Sequence, residues 1–401
     1  MQDRTTGISY AEKFKKHVAQ TSDMPLGLRV ARASGPFIFL DDGRRVIDLI
    51  SGIAVSSLGH CHPEVVHAIR EQAAKYLHVM VYGEFILQPQ VLLATLLAAQ
   101  LPEQLQVVYF TSSGTEAVEG ALKLAKKATG RKRLVSFEQS YHGDTHGALS
   151  VTGRDVYKDP FLPLLPEVSI VPFNSEEGFE SIDDSTAAVI VEPIQGEGGI
   201  RVANKKWLWS LREHCTRTGA LLVFDEIQSG MGRTGELFAF QRYDVIPDIL
   251  CTAKAFGGGM PLGAFVSSHD KMSVLARNPA LSHVTTFGGH PVSCAGAHAS
   301  LQVLLRDGLP ARALELEERI RQRLRHPRVV EIRGMGAMLG MVLGDSELTA
   351  AVVDHCLKEG VLLGWTLHSD SLVRIAPPLN IPMSVLDDAI DVILHALDHT
   401  N

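Results

Sequence analysis

The chain has few cysteines, no long apolar run and no basic block, and each lack removes a class of protein. Cys61, Cys215, Cys251, Cys294 and Cys356 are the only cysteines in 401 residues, an odd count with no Cys-x-x-Cys pair. That excludes a disulfide scaffold and the common zinc modules, and it fits a reducing compartment. No stretch reaches the ~18 consecutive apolar residues that a bilayer crossing requires. The opening MQDRTTGISYAEKFKKHVAQ has basic residues without the apolar run of a secretory signal. The expected location is cytoplasmic, with no membrane partner. A net charge of −7 argues against a nucleic-acid partner. The densest basic run, RIRQRLRHPR at 319–328, is interleaved with apolar residues and reads as a helix end with a solvated face. Internal repeats and low-complexity linkers are missing as well.

What is present is an ordinary globular composition, 45% apolar and 21% charged. The length allows two domains, or one large one with an annex. Residues 1–59 mix short strand-like runs with turns, among them a DDG hairpin signal. Apolar runs then alternate with helical patterns from about 60 to 295, the mark of βαβ units around a mostly parallel sheet. Beyond 296, helical segments surround short runs such as VVEIRGMGAMLGMVL and SLVRIAPPLNI. The predicted fold is α/β: a large domain over 60–295, and a smaller α+β domain built from 1–59 and 296–401. Strands are expected at 106–110, 133–137, 187–192, 220–226 and 248–254.

Four of these apolar strands run into polar or ionisable residues, and ligands of open α/β sheets bind beyond such carboxyl ends. QVVYF leads into TSSGTEA, where Ser113, Gly114 and Thr115 precede a helical pattern that stops at Gly130. Such a helix start suits a phosphate, although a plain N-cap reads the same way. AAVIV leads into Glu192. ALLVF leads into Asp225 and Glu226, a carboxylate that needs a cation there, either a protonated ring nitrogen or an arginine. Ile227, on the same side as Asp225, offers an apolar surface to a planar ring. DILCTA leads into Lys254 and three glycines. A lysine buried there has a lowered pKa and a nucleophilic amine; a solvated lysine is the alternative. Lysine, carboxylate and anion site together suit pyridoxal phosphate.

The chain resembles the class III (subgroup II) aminotransferases of fold type I, in their acetylornithine, ornithine and 4-aminobutyrate branch. The resemblance covers nearly the whole length. It is carried by SGIAVSSLGHCHPEV, SSGTEAVEGALKLA, IVEPIQGEGG, VFDEIQSGMGRTG, AKAFGGGMPLGA, TTFGGHPVSCAGA and LVRIAPPLNI. It implies a pyridoxal 5'-phosphate enzyme that moves an amino group from an ω-amino acid or amine to a 2-keto acid, 2-oxoglutarate by preference, in a ping-pong sequence. Lys254 would join the cofactor and shuttle a proton, and Asp225 would hold the ring nitrogen protonated. Ile227 and Tyr141 would flank the ring, and Gln228 would bond the ring oxygen. Gly114 and Thr115, with Ser113, would hold the phosphate. Thr286 would reach that phosphate from a neighbouring subunit, which implies a homodimer with shared sites. Arg374 would pair with a substrate carboxylate, and Glu197 would neutralise it when an ω-amine enters. Glu192 would act from behind the site. Thr285, Tyr82 and Glu84 are further substrate-pocket candidates.

Two departures bear on the substrate. Ile53 stands where the ornithine enzymes have a tyrosine, and Asp144 where the acetylornithine and aminobutyrate enzymes carry an arginine. Asp144 either disfavours an acidic substrate end in favour of a neutral or cationic one, or turns outward. Other reaction types of the same class (mutase, racemase, decarboxylating enzyme) stay open. So does a sensor that has lost catalysis, although Lys254, Asp225 and Arg374 are all in place. A metal-dependent hydrolase would have to use His142, Asp144 and His146 of SYHGDTHGALS, or His60 and His62 of GHCHPE. Neither cluster is a recognisable ligand set. No metal is expected, and His142 and His146 read as structural.

Overall fold

The computed structural model describes residues 9–400. Seven strands form the central sheet: β1 (Val107–Thr111), β2 (Arg133–Phe137), β3 (Val168–Val171), β4 (Thr186–Val191), β5 (Leu221–Asp225), β6 (Ile249–Thr252) and β7 (Gly263–Ser267). Their spatial order is β1-β7-β6-β5-β4-β2-β3. Only β7 runs against its neighbours, β1 and β6. The middle strands are apolar throughout because successive side chains feed two separate cores. Val189, Val191, Leu222, Phe224 and Leu250 pack on one face. Ala188, Ile190, Val223, Ile249 and Cys251 pack on the other. The five expected strands are present within a residue or two. β3 and β7 were not anticipated, because SIV and GAFVS are short runs with no functional residue at their ends.

Helix α1 (Gly114–Thr129) follows β1. Ser113 caps its start, Ala117, Ala121 and Leu124 are buried, and Gly130 ends it at φ 70°. Strands Val30–Ser34, Phe37–Leu40 and Arg45–Asp48 form an antiparallel meander, and Val361–Leu362 joins it in parallel beside Ile47 and Asp48. A further antiparallel sheet has the order Glu331–Met335, Met338–Val342, Ser369–Ile375, Gly364–Thr366. Arg233 is buried where these parts meet. It donates to the Ser57 hydroxyl and to the carbonyls of Ala337 and Pro377. Among the described residues no helix is long and apolar enough to cross a membrane.

Candidate active site

A cavity of about 640 Å³ opens beyond the carboxyl ends of β1, β5 and β6. Ser113, Gly114, Thr115, Tyr141, Asp144, Glu192, Asp225, Ile227, Gln228 and Lys254 all line it. Ten of the candidates thus converge from five stretches of chain.

At one end lies the start of α1. The first N–H groups of a helix have no partner within it, and here they belong to residues that can approach a ligand closely. A Cβ on Gly114 would stand 2.9 Å from Ile227 Cδ1, so only glycine lets the helix start and Ile227 share the cavity wall. Ser113 Oγ accepts from Glu116 N at 3.3 Å, so this serine caps the helix as well as lining the cavity. The hydroxyls of Thr115 and Thr145 meet at 2.7 Å.

Asp225 ends β5. Its Oδ1 accepts from Ile227 N at 3.1 Å, and its Oδ2 accepts from His142 Nδ1 at 2.7 Å, with both side chains buried. His142 Nε2 lies 3.4 Å from the Ser136 hydroxyl on the other side of the ring. His142, expected to be structural, lines the cavity and orients the carboxylate there. Nothing in its local sequence distinguishes it from His146, which is exposed. Behind the site, Glu192 accepts from Tyr141 N at 2.9 Å and Gly196 N at 3.0 Å, bracing two loops against each other. Burial pushes its carboxyl up to about 7.

Lys254 follows β6 in a left-handed conformation, φ 49°. Burial lowers its pKa below the ordinary lysine value, while Glu197 and Asp225 work in the opposite direction and Arg374 adds to the lowering. A half-buried amine with a depressed pKa, facing the cavity, is poised as a nucleophile and as a proton carrier.

Glu197 and Arg374 form a buried pair, with Arg374 Nη2 donating to Glu197 Oε1 at 2.6 Å. The same oxygen accepts from Gln228 Nε2 at 3.1 Å, and Oε2 accepts from Leu367 N at 2.8 Å. Burial opposes ionisation of Glu197, but the charges of Arg374 and Lys254 outweigh it and hold the carboxyl below its usual range. The Arg374 guanidinium is only partly satisfied, because its Nε is buried without a hydrogen-bond partner.

Tyr141 and Asp144 meet on the cavity wall, the tyrosine hydroxyl donating to Asp144 Oδ2 at 2.8 Å. Asp144 is exposed and still lines the cavity, so it is fixed at the mouth of the site. Burial, and then the bond to Asp144, raise the Tyr141 pKa. His142, Asp144 and His146 therefore have separate surroundings. Among the described residues no group of three or more His, Cys, Asp or Glu is placed to hold a metal ion.

The remaining candidates lie elsewhere. Tyr82 and Thr285 line a separate cavity of about 250 Å³, while Thr286 and Glu84 are exposed and border neither cavity. Ile53 is 46% exposed at φ 63°, a strained conformation for a β-branched residue, and Val55 lines the main cavity in its place. Met260, Pro261 and Leu262, which sequence reasoning did not single out, complete the wall after the glycines.

A glycine-faced helix start, a lysine of lowered pKa and a buried, oriented carboxylate around one cavity are what pyridoxal 5'-phosphate requires. The fold and the site define an aminotransferase of fold type I that uses this cofactor. Residues 17–397 match the family model described as Aminotransferase class-III. The acetylornithine aminotransferase of Methanopyrus kandleri is 42% identical over 389 residues, 96% of this chain and 97% of the relative. A putrescine aminotransferase of Pectobacterium atrosepticum is 40% identical over 404 residues, 95% of this chain and 85% of the relative. The crystal structure of the ornithine aminotransferase from Toxoplasma gondii superposes with a TM-score of 0.88 at 30% identity, covering 96% of this chain and 93% of that one. The chain belongs to the class III aminotransferases.

Proposed function

We propose that the enzyme takes the terminal amino group of an ω-amino acid or amine and delivers it to 2-oxoglutarate, using one cavity for both half-reactions. The observation that carries this reading is the Glu197–Arg374 pair with its unpartnered Arg374 Nε. While Glu197 holds Arg374, the site tolerates an incoming group that has no carboxylate. When Glu197 lets go, the guanidinium fork is open to a planar carboxylate.

When bound, the cofactor would supply an electron sink for the substrate carbon that bears the reacting amino group. Lys254 would move the proton at that carbon, and Asp225, oriented by His142, would hold the ring nitrogen protonated. Ile227 and Tyr141 would flank the ring and Gln228 would bond its oxygen, while Ser113, Gly114 and Thr115 would hold the phosphate at the start of α1. Residues 60–295 form the cofactor-binding domain, and the two chain ends form the smaller one, which brings Arg374 to the site.

The working unit in this reading is a homodimer. Tyr82, Phe85, Ile86, Leu281, Val284 and Phe287 expose large apolar side chains around the segment that carries Thr285 and Thr286, and a patch of that kind marks an interface. A second copy placed there would bring Thr286 to the partner's phosphate site. Sedimentation equilibrium tests this, and a monomer at micromolar concentration would refute it.

The amino donor has a neutral or cationic far end, because Asp144 sets an exposed carboxylate at the cavity mouth. The similarity to a putrescine aminotransferase supports the same choice. Diamines, simple amines, 4-aminobutyrate and N-acetylornithine, each paired with 2-oxoglutarate and with pyruvate, form the deciding panel. Diamines should lead, and Asp144→Arg should reverse the preference. A wild-type enzyme that uses N-acetylornithine or 4-aminobutyrate far better than diamines would sink this assignment. Release of one equivalent of carbonyl product per site without added keto acid would establish the ping-pong order.

A further inference from the structure

Arg374 has a neighbour on its own sheet that no residue engages. Arg333 pairs with Gly340, and Gly340 pairs with Arg374. Residues opposite one another on adjacent strands share a face, so the two arginines stand on one face about 10 Å apart at Cα, with no side chain between them. Ile200 fills the gap: a Cβ on Gly340 would lie 3.2 Å from Ile200 Cβ. The glycine-rich loop 196–200 therefore lies across this row of the sheet. Its Glu197 engages Arg374. Its Gly199, at φ 92°, lies against Arg333 so closely that a Cβ there would be 2.9 Å from Arg333 Nη2 and 3.7 Å from Ser369 Oγ.

The two guanidinium groups differ in what they meet. Arg374 has a carboxylate. Arg333 has a buried Nε with no partner, and its side chain makes no hydrogen bond or ion pair with any described residue. A second cation, Arg201, follows Gly199 by two residues and begins the short strand Arg201–Val202, which packs against Glu331–Met335. Arg201 donates to Gln195 Oε1 at 3.3 Å and lies over the Phe173 ring at 5.2 Å, without an ion pair. Burial and then the charge of Arg333 hold Arg201 below the ordinary arginine value, and Glu138 offsets this in part. Two partly buried cations near each other, one with a buried Nε that has no partner, leave a donor for an anion to meet.

We propose that Arg333, Arg201 and the Ser369 hydroxyl form an anion site on the flank of the glycine-rich loop, taking a small oxyanion, either a phosphate or a carboxylate. A guanidinium fork presents paired donors suited to either group. The site lies beyond the transamination reading, since no step at Lys254 uses it. A bound anion would neutralise Arg333 against the loop that carries Glu197.

The test is calorimetric titration of the holoenzyme, its phosphate cradle already filled by the cofactor. Inorganic phosphate and succinate are the probes, at an ionic strength held constant with chloride. Wild type should bind a probe saturably, and Arg333→Gln and Arg201→Gln should each weaken that binding about tenfold. Arg333→Lys should fall between. Arg201→Gln should leave turnover at low anion concentration unchanged. Tighter phosphate binding would point to a phosphoryl ligand, and tighter succinate binding, still lost in Arg333→Gln, to a carboxylate. Equal affinities in wild type and both glutamine variants would mean an adventitious ion only and would overturn the proposal, as would the absence of saturable binding. If Arg333→Gln does not fold, Arg201→Gln and Ser369→Ala decide the matter alone.

Discussion

Two of the site's buried carboxylates, Asp225 in the cavity wall and Glu197 behind Gln228, are held in different ways. Asp225 sits on the end of a central strand, between an imidazole at 2.7 Å and a backbone N–H two residues on. Glu197 sits in a loop with Gly196 before it and Gly198 and Gly199 after it, and its three hydrogen-bond partners come from three separate segments. Strand ends are rigid and glycine loops are not. In the proposed reaction the first carboxylate would stay in one place throughout, and the second would release its arginine and take it back. A catalyst for two dissimilar substrates needs one pole of each kind.

The comparison can be broken most sharply at the fixed pole. Asp225→Asn should lower kcat/KM for every substrate by roughly a thousandfold, because it removes a preorganised charge from a dry site. A loss confined to one half-reaction would show that Asp225 is not the constant member. Arg374→Gln should raise the keto-acid KM about a hundredfold and leave the amine half-reaction nearly intact, since one buried, charge-paired carboxylate contact is lost. His142→Gln should cost about thirtyfold in kcat and loosen the cofactor on dialysis, as removal of an orienting partner does elsewhere. Glu197→Gln should lower the keto-acid KM about tenfold while slowing ω-amines. Equal effects on both substrates would place Glu197 with Asp225 as a fixed group.

The smallest effect concerns pH and lies next to Asp225. Glu226 is buried and accepts from Ala239 N, Phe240 N and the Ser229 hydroxyl, and burial pushes its carboxyl up to about 7. The folded protein then holds a proton that the unfolded chain has lost between pH 4.5 and about 7. The stability from this group is therefore present below 4.5, falls as pH rises through that window, and is level above it. Thermal melts of Glu226→Gln and wild type should show the variant gaining on wild type by a few degrees from pH 4.5 to 7, then no further. A constant difference would place the Glu226 pKa near its ordinary value.

Lys254, Asp225 and the Ser113–Gly114–Thr115 turn were legible because the signal is local: a buried strand that ends in an ionisable or anion-binding residue. The contact between Glu197 and Arg374 spans 177 positions. It was visible only through the resemblance to a family. The bond from His142 to Asp225 spans 83 positions, and a histidine in a polar loop does not say which carboxylate it will face. The row that joins Arg333 to Arg374 depends on strand register, which no single segment encodes. β7 escaped because GAFVS is short and ends in no functional residue, and its antiparallel course also breaks the βαβ alternation.

Arg233 has a consequence in time. Its three acceptors, Ser57, Ala337 and Pro377, belong to both ends of the chain. A chain emerging from the ribosome has made the arginine and its first partner long before the last carbonyl exists. Until Pro377 is available, closing the large domain over this cation would bury a charge with its donors unmet. The final quarter of the protein thus supplies two of the three acceptors that let the middle bury Arg233, and a chain cut before Ala337 would lose both carbonyls.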